Sequence, residues 1–324
     1  MSKKPILYDI KVATGIAIIL VVIGHLASRG ETGIDAYVNL KRIIYKFHMP
    51  LFLCLSGHIA YYTYQPIKSF KGYIEYIKKK LFRLFPAYII LAITFFIGKY
   101  IFVENIDIQK SLLNISVYPS ESSSGYLWYI YVLFLYYLCM PIIDYMICNK
   151  FLIFFIISLA LSSFVTFPKL FALDIFFWYL PFFIFGCYLV SVRESSIPLL
   201  RGYGFAILIL FLLWGVFEYL QLINIPKNIV SFFAIVSVIY LSSIKIVRNY
   251  FLEKMGDNSF YIYLFNTMFI GFVSAVLVKL LGKEEFYNMF YYFAPFLIII
   301  GLFSPILLHK YIISRIPILK SLIK

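Results

Sequence analysis

The stretch DIKVATGIAIILVVIGHLAS, residues 9–28, decides the fold class. It has no ionisable residue between Lys11 and His25, and its length matches the roughly 20 apolar residues that a helix needs to cross a bilayer. Nine further apolar runs follow, at about 46–66, 84–103, 125–147, 151–167, 171–191, 203–223, 228–246, 259–280 and 288–310. The chain is therefore predicted to be an all-α, polytopic integral membrane protein with about ten transmembrane helices in a single transmembrane domain over residues 1–324.

The composition excludes a soluble enzyme, a disordered protein and a disulfide scaffold. Hydrophobic residues make up 63% of the 324 residues and charged residues 14%, against a usual ~45–50% and ~25%. The net charge of +14 would suit a nucleic-acid partner, but the basic residues lie in short loops between apolar runs, so membrane lipids are the expected partner instead. The four cysteines have no CxxC spacing and are predicted to be small buried hydrophobes rather than metal ligands.

The distribution of basic residues predicts the orientation. Lysine and arginine are enriched in cytoplasmic loops, and the 67–83 loop carries six basic residues against one acidic residue, Glu75. This loop, the other even-numbered loops and the two ends hold most of the 29 basic residues. Both termini are therefore predicted to be cytoplasmic, in the cell (plasma or inner) membrane.

Few ionisable residues lie in or beside the predicted spans. His25 ends the first span and His48 begins the second, so both are expected near the same outer face. Two imidazoles at one depth suit general acid–base chemistry. The alternative interpretation is that each only hydrogen-bonds to a neighbouring helix. Asp174 and Glu218, in the outer parts of later spans, are candidates to orient a histidine or pair with a base, or are ordinary interfacial groups.

Two further patterns suggest ligand contacts. Lys80 and Arg83 are three residues apart on the predicted cytoplasmic side, so on a helix they share a face and are able to hold phosphate groups. By themselves these residues favour an ordinary anchor that touches anionic lipid. Trp128, near the outer start of the fourth span, is a candidate for stacking on a sugar ring.

Four stretches carry sequence motifs: GIAIILVVIGH at 15–25, FHMPLFLCLSG at 47–57, KLFRLFP at 80–86 and YLWY at 126–129. Together they resemble the membrane acyltransferase 3 family of multi-spanning O-acyltransferases. There are two departures. The family usually has Arg or Lys eleven residues before the first histidine, where this chain has Thr14, with Lys11 one turn earlier. Many relatives carry a histidine where this chain has Asn266.

The resemblance implies O-acyl transfer from cytoplasmic acyl-CoA, expected to be acetyl-CoA, to a hydroxyl of an extracytoplasmic or lipid-linked glycan, with no permanently bound cofactor or metal. It implies His25 as general base or transient acyl carrier, and His48 as the group that orients the thioester or its developing oxyanion. It implies that Lys80 and Arg83 hold the CoA phosphates. The residues expected to support the site are Lys11, Thr14, Trp128, Asp174 and Glu218.

Two other functions remain open from the sequence. One is a transporter or flippase that exports a polysaccharide intermediate without chemistry, which would need polar midplane sites and discontinuous helices. The other is a structural subunit of a polysaccharide synthase. Coenzyme binding separates the first from an acyltransferase.

Overall fold

The computed structural model describes residues 7–27, 32–102 and 107–323, and the regular structure of these residues is helical. The prediction of an all-α chain is confirmed for them. The helices are α1 (Tyr8–Gly24), α2 (Asp35–Thr63), α3 (Phe70–Phe102), α4 (Ile108–Ser116), α5 (Trp128–Leu138), α6 (Met140–Phe164), α7 (Leu173–Ser191), α8 (Arg193–Tyr219), α9 (Lys227–Ser243), α10 (Tyr250–Asp257), α11 (Ser259–Leu281), α12 (Lys283–Asn288), α13 (Phe290–Leu308) and α14 (Pro317–Leu322).

Within the described part of the chain, seven helical segments are long and apolar enough to cross a membrane, so the protein is a multi-pass membrane protein. They are Asp35–Thr63, Phe70–Ile101, Met140–Phe164, Leu170–Ser191, Arg193–Tyr219, Ser259–Leu281 and Phe290–Ile313. Gly125–Leu138 and Lys227–Ser243 are shorter apolar helices. The count of about ten spans and the cytoplasmic termini stay predictions.

Two helices begin earlier than their predicted spans. α2 begins at Asp35 rather than near 46, and α3 begins at Phe70 rather than near 84. The added turns are rich in lysine and arginine, which lower hydropathy but are good helix formers. Pro86 therefore lies inside α3. The predicted span ends at 28 and 103 lie outside the described residues.

The contacts between Cα atoms divide the chain into two compact units. The first comprises the described residues up to Leu55 together with Val192–Ile312, and the second comprises Ser56–Ser191 together with the described residues from Ile313. α2 contributes to both, since the division falls between Leu55 and Ser56. The single domain over 1–324 stays a prediction.

The first unit is built around α1, which packs against α9, α10, α11 and α13. Two glycines let α1 and α10 approach at backbone distance. A Cβ added at Gly15 would collide with the carbonyl oxygen of Leu252, and one added at Gly256 would collide with the carbonyl oxygen of Lys11. Small residues serve this purpose in membrane helix pairs, where close van der Waals packing replaces the hydrophobic driving force.

The second unit packs α6 against α7 and α3 against α5 around aromatic side chains. Tyr136 and Phe183 are fully buried and stack with ring centroids 4.3 Å apart, and the Tyr136 hydroxyl donates to the carbonyl of Phe176 at 2.7 Å. α6 is kinked at Lys150, where φ is −145° and ψ is 35°. A break between the fourth and fifth spans was predicted at this point, but α6 continues through the kink as one candidate membrane span, and the preceding helix ends at Leu138, inside the predicted fourth span.

Candidate active site

His25 lies directly after the last residue of α1, where the helix leaves carbonyl groups without partners. Its backbone N–H donates to the carbonyl of Val22 at 3.0 Å, which closes the last turn. Its ring reaches α11, where Nδ1 lies 3.0 Å from Oδ1 of Asn266 and 3.1 Å from Oγ1 of Thr267. The C-terminal end of α1 and two residues of α11 thus position the same imidazole.

Asn266 fixes the tautomer of His25. Asn266 is fully buried, and its Nδ2 donates to the carbonyls of Ile262 at 2.7 Å and Tyr263 at 3.0 Å. Because carbonyls accept only, this side of the amide must be the NH₂ group, and the oxygen must face His25. That oxygen accepts from Nδ1–H, so Nε2 of the neutral ring carries the lone pair. His25 is therefore held in the form that accepts a proton at Nε2.

One face of α2 binds the segment around His25. Tyr37, Lys41 and Tyr45 are spaced four residues apart, so they lie in a row on this helix. The Tyr37 hydroxyl donates to the carbonyl of Ile23 at 3.0 Å and accepts from the N–H of Ala27 at 3.2 Å. The row thus supplies the partners that the end of α1 lacks.

The other two residues of the row, Lys41 and Tyr45, also bind the C-terminal end of α1, so the three side chains together cap this helix. Lys41, only 7% exposed, donates to the carbonyl of Ala27, and the Tyr45 hydroxyl donates to the carbonyl of Gly24 at 3.2 Å. A positive charge beside the C-terminus of a helix is also favoured by the helix dipole. Lys41 lies close enough to interact electrostatically with His25.

His48 belongs to the same cluster. Its ring lies 4.7 Å from the ring of Tyr45, whose edge packs so closely on Gly24 that a Cβ there would collide with it. The Nδ1 of His48 lies 2.8 Å from the carbonyl of Ile44 and must carry a hydrogen to bond to it. Tyr45 contacts both His48 and Gly24, the residue before His25. The two histidines predicted to share one face therefore lie in one cluster of the first unit. This His25 cluster consists of His25, Tyr37, Lys41, Tyr45, His48 and Asn266.

The supporting residues expected near the first histidine lie elsewhere on α1. The Thr14 hydroxyl donates to the carbonyl of Ile10 at 2.8 Å, within its own helix. The ammonium of Lys11 forms an ion pair with Asp257 at 2.8 Å. Lys11 is fourteen residues before His25, about 21 Å along an α-helix at 1.5 Å per residue, so it acts at the opposite end of α1.

Glu218 binds cations rather than a histidine. It is 3% exposed, and its Oε1 lies 2.9 Å from Nζ of Lys46 and 3.7 Å from Nε of Arg42. The guanidinium of Arg42 also donates to the backbone carbonyl of Glu218 at 2.8 Å. These contacts join α2 to α8, and they explain how α2 keeps two charged residues in a largely buried helix.

The second unit contains a basic cavity of about 570 Å³ beside the first half of α3. Lys80 and Arg83 both line it, as the spacing predicted. The Lys80 ammonium also lies 4.1 Å from the ring centroid of Tyr137, a cation–π contact. The charged residues that line the cavity are Lys68, Glu75, Lys79, Lys80 and Arg83. Four cations against one carboxylate make the cavity a suitable site for phosphate groups.

Trp128 and Asp174, two of the supporting residues, meet at a different cavity of the second unit, between the start of α5, the end of α6 and the start of α7.

Sequence reasoning missed the row on α2 and understated Asn266. The row has a recognisable signal, the spacing of 37, 41 and 45 followed by His48, but its lysine falls outside the apolar window that defined the second span. Asn266 was noted only as a departure from the family pattern. Its pairing with His25 joins residues 241 positions apart, which no local pattern reveals.

Comparison with known proteins gives one match. The family described as "Acyltransferase domain" matches residues 7–315, nearly the whole chain. No curated protein and no solved structure matches the chain.

Proposed function

The chain belongs to the acyltransferase 3 family, as its four motifs predicted, and from this premise we propose that it transfers an acetyl group from cytoplasmic acetyl-CoA to a hydroxyl of an extracytoplasmic or lipid-linked glycan. The observation that carries the proposal is the hydrogen bond from His25 to Asn266, because it leaves the lone pair of the imidazole at Nε2. An acyl transfer to a hydroxyl needs a base of this kind.

In the proposed step, Nε2 of His25 takes the proton of the acceptor hydroxyl while the hydroxyl oxygen attacks the thioester carbon. The new C–O bond forms, the C–S bond breaks, and the CoA thiolate takes the proton from His25. The products are the glycan ester and free CoA, and the imidazole returns to its neutral form. Such base assistance contributes typically ~10²–10⁴ in rate.

The same geometry serves a covalent route. Nε2 would then attack the thioester carbon and release CoA as its thiolate, and the acetyl group would pass from Nε2 to the acceptor oxygen while the hydroxyl proton goes to that thiolate. Both routes need Nδ1–H held by an acceptor, which is the role of Asn266 in this proposal.

His48 and Lys41 are proposed to stabilise the developing oxyanion. The contact of His48 with Ile44 occupies Nδ1–H, so a neutral His48 has no second N–H to donate. His48 therefore acts on an oxyanion in its protonated form, which donates from Nε2. Lys41 supplies a second cation close to His25, and charges in a water-poor site stabilise an oxyanion more strongly than they do in water.

The donor is proposed to bind at the basic cavity of α3. CoA carries its negative charge on phosphate groups, and Lys80 and Arg83 provide charge-assisted donors from one helix face. We propose the corresponding topology, with α3 presenting this cavity to the cytoplasm and both termini on that side of the cell membrane.

The test uses the full-length protein in lipid nanodiscs with radiolabelled acetyl-CoA and a panel of glycans. The His25→Ala variant is compared with wild type and with His309→Ala. His309 stacks on Tyr261 with ring centroids 3.6 Å apart and is not part of the His25 cluster, so it is a matched control for the loss of an imidazole.

We expect label on a glycan with wild type and His309→Ala, and none with His25→Ala, while all three proteins remain folded. Normal transfer by His25→Ala would refute the assignment of the base. A folded wild-type protein that binds no CoA would refute the donor and favour a transporter of polysaccharide intermediates.

A further inference from the structure

An aromatic cavity lies in the second unit, outside the His25 cluster and the basic cavity. Its volume is about 440 Å³, within the ~300–1,000 Å³ of small-molecule sites. The residues that carry the argument are Trp128, Ser162, Thr166, Asp174, Trp178 and Tyr179. The cavity thus combines flat aromatic walls with a carboxylate and the two aliphatic hydroxyl groups of Ser162 and Thr166.

The carboxylate of Asp174 is the polar centre of this cavity. Its Oδ1 is buried, and it has no hydrogen-bond partner among the described residues. Buried polar atoms of native proteins are normally paired, and an unpaired charged acceptor is costlier than a neutral one. Asp174 itself is partly exposed and lines the cavity, so its carboxylate is available to a ligand that brings hydrogen-bond donors.

The aromatic walls are held rigidly. The rings of Trp128 and Tyr179 stack with centroids 5.2 Å apart and planes 15° from parallel. Two of the chain's three tryptophans line the cavity. The negative face of an aromatic ring attracts weakly positive C–H groups, so such walls suit a ring whose faces carry C–H and whose edges carry O–H.

The loop that supplies Thr166 and Phe167 to the cavity is also held in place. The loop after α6 is joined to the loop before α5 by the ion pair of Lys169 with Glu121 at 2.8 Å. Two nearby residues of the same segment, Phe171 and Ala172, have φ of 51° and 55°, a conformation that costs energy for residues other than glycine. Such outliers cluster at ligand sites, where the surrounding structure maintains them.

An aromatic cavity with a carboxylate suits either a cationic ligand or a neutral polyol, and the charges near the cavity distinguish the two. A cation would be attracted both by the rings and by Asp174. However, a cation is already nearby: Lys169, whose pKa is raised chiefly by its hydrogen bond to Glu121, also interacts with the charge of Asp174. This neighbouring ammonium opposes a cationic ligand and leaves a neutral polyol unaffected.

We infer that this cavity binds a saccharide ring, with Asp174 accepting from its hydroxyl groups, Thr166 adding a hydroxyl contact, and Trp128 and Trp178 packing on its C–H faces. The inference deepens the proposed function and rests on it for the biological role of the site: the ring belongs to the glycan acceptor. Sugar binding itself is measurable without acyl-CoA.

The experiment titrates the full-length protein in nanodiscs with hexoses, N-acetylhexosamines and their disaccharides, and separately with choline. Intrinsic tryptophan fluorescence is the readout, because two of the three tryptophans line the cavity. The variants are Asp174→Asn and Thr166→Val, each nearly isosteric. The control is Asp35→Asn, the same change at an exposed carboxylate in the first turn of α2. Thermal unfolding verifies that each variant is folded.

We expect at least one saccharide to give a saturable signal. Its Kd should rise about ten- to hundredfold in Asp174→Asn, several-fold in Thr166→Val, and stay unchanged in Asp35→Asn. The KM for the glycan should rise in parallel while the KM for acetyl-CoA does not.

Three outcomes would overturn the inference: no saturable signal with any saccharide, an unchanged Kd in folded Asp174→Asn protein, or tighter binding of choline that Asp174→Asn abolishes. A protein that transfers acetyl groups but binds no sugar would refute the assignment of the cavity as a saccharide site and leave the proposed reaction intact. Sugar binding that depends on Asp174, in a protein with no transferase activity, would refute the reaction and leave the cavity intact.

Discussion

Replacing Asn266 by leucine removes the oxygen that holds Nδ1–H of His25 and changes the side-chain volume little. In the wild-type protein this bond is 3.0 Å long, and Thr267 offers a second contact at 3.1 Å. After the substitution only Thr267 remains, and the hydroxyl can turn to donate or accept. The imidazole is then free to adopt either tautomer, and part of the population loses the lone pair at Nε2.

The magnitude follows from the charge that His25 gains in the transition state. A hydrogen bond to a charged group contributes about 1.5–3 kcal/mol, and each 1.36 kcal/mol is tenfold in rate. Because Thr267 retains some of this stabilisation, we expect kcat to fall about ten- to hundredfold. The bonds to the carbonyls of Ile262 and Tyr263 are lost as well, so the free energy of unfolding should fall by about 1–3 kcal/mol.

The assay measures CoA release in the presence of a glycan acceptor, together with thermal unfolding. Asn114→Leu is the matched control, since Asn114 is 7% exposed, donates to the carbonyl of Glu121 at 3.2 Å and lies outside the His25 cluster. It should lose stability but keep kcat. A folded Asn266→Leu protein with kcat within about twofold of wild type would refute the orienting role. An equal loss in Asn114→Leu would assign the effect to stability.

Three further predictions follow from other contacts. Gly256→Val should lower the free energy of unfolding by at least about 1–3 kcal/mol, because it separates α10 from α1, whereas Gly271→Val, where nothing lies within 4 Å, should change the unfolding temperature little. Lys80→Ala should raise the KM for acetyl-CoA about tenfold with a smaller effect on kcat, and Lys279→Ala, a lysine of α11 outside the basic cavity, should leave both unchanged. Tyr37→Phe removes the hydroxyl that binds Ile23 and Ala27 and should lower kcat about tenfold at unchanged KM, which steady-state kinetics measures; an unchanged kcat would show that this cap does not position His25.

The sequence was sufficient for the all-helical, multi-pass fold class, because a bilayer imposes one requirement on every span. It failed at the start of α2. Lys46 and Arg42 lowered the hydropathy there, yet both lie beside the carboxylate of Glu218, a residue of α8 far along the chain. Lys41 donates instead to a neutral acceptor, the carbonyl of Ala27. The partners of buried charges come from distant parts of the chain through tertiary contacts, so a hydropathy window along the sequence does not include them.

The candidate site was predicted unevenly for a related reason. His25 and His48 each end or begin an apolar run, so their shared depth could be calculated, and the structure brings them into one cluster through Tyr45. Lys11 was expected to substitute for the basic residue missing at Thr14. Its ion pair with Asp257 instead ties α1 to α10, a contact that depends on where a short helix near the other end of the chain folds back.

The amide at position 266 fits the proposed chemistry better than a carboxylate would. Asn266 is fully buried, and a carboxylate there would be a buried charge, which costs several kcal/mol unless a cation compensates it. A carboxylate is also acceptor-only, so it could not bond to the carbonyls of Ile262 and Tyr263 that fix the amide in place. In the proposed reaction the leaving group is a thiolate, and thiols are acidic enough (about 8.5 for the pKa of a cysteine side chain) that a thiolate departs readily. The base then needs correct orientation more than added strength, and a neutral acceptor with two anchored N–H groups supplies that orientation without placing a charge in the membrane protein's core.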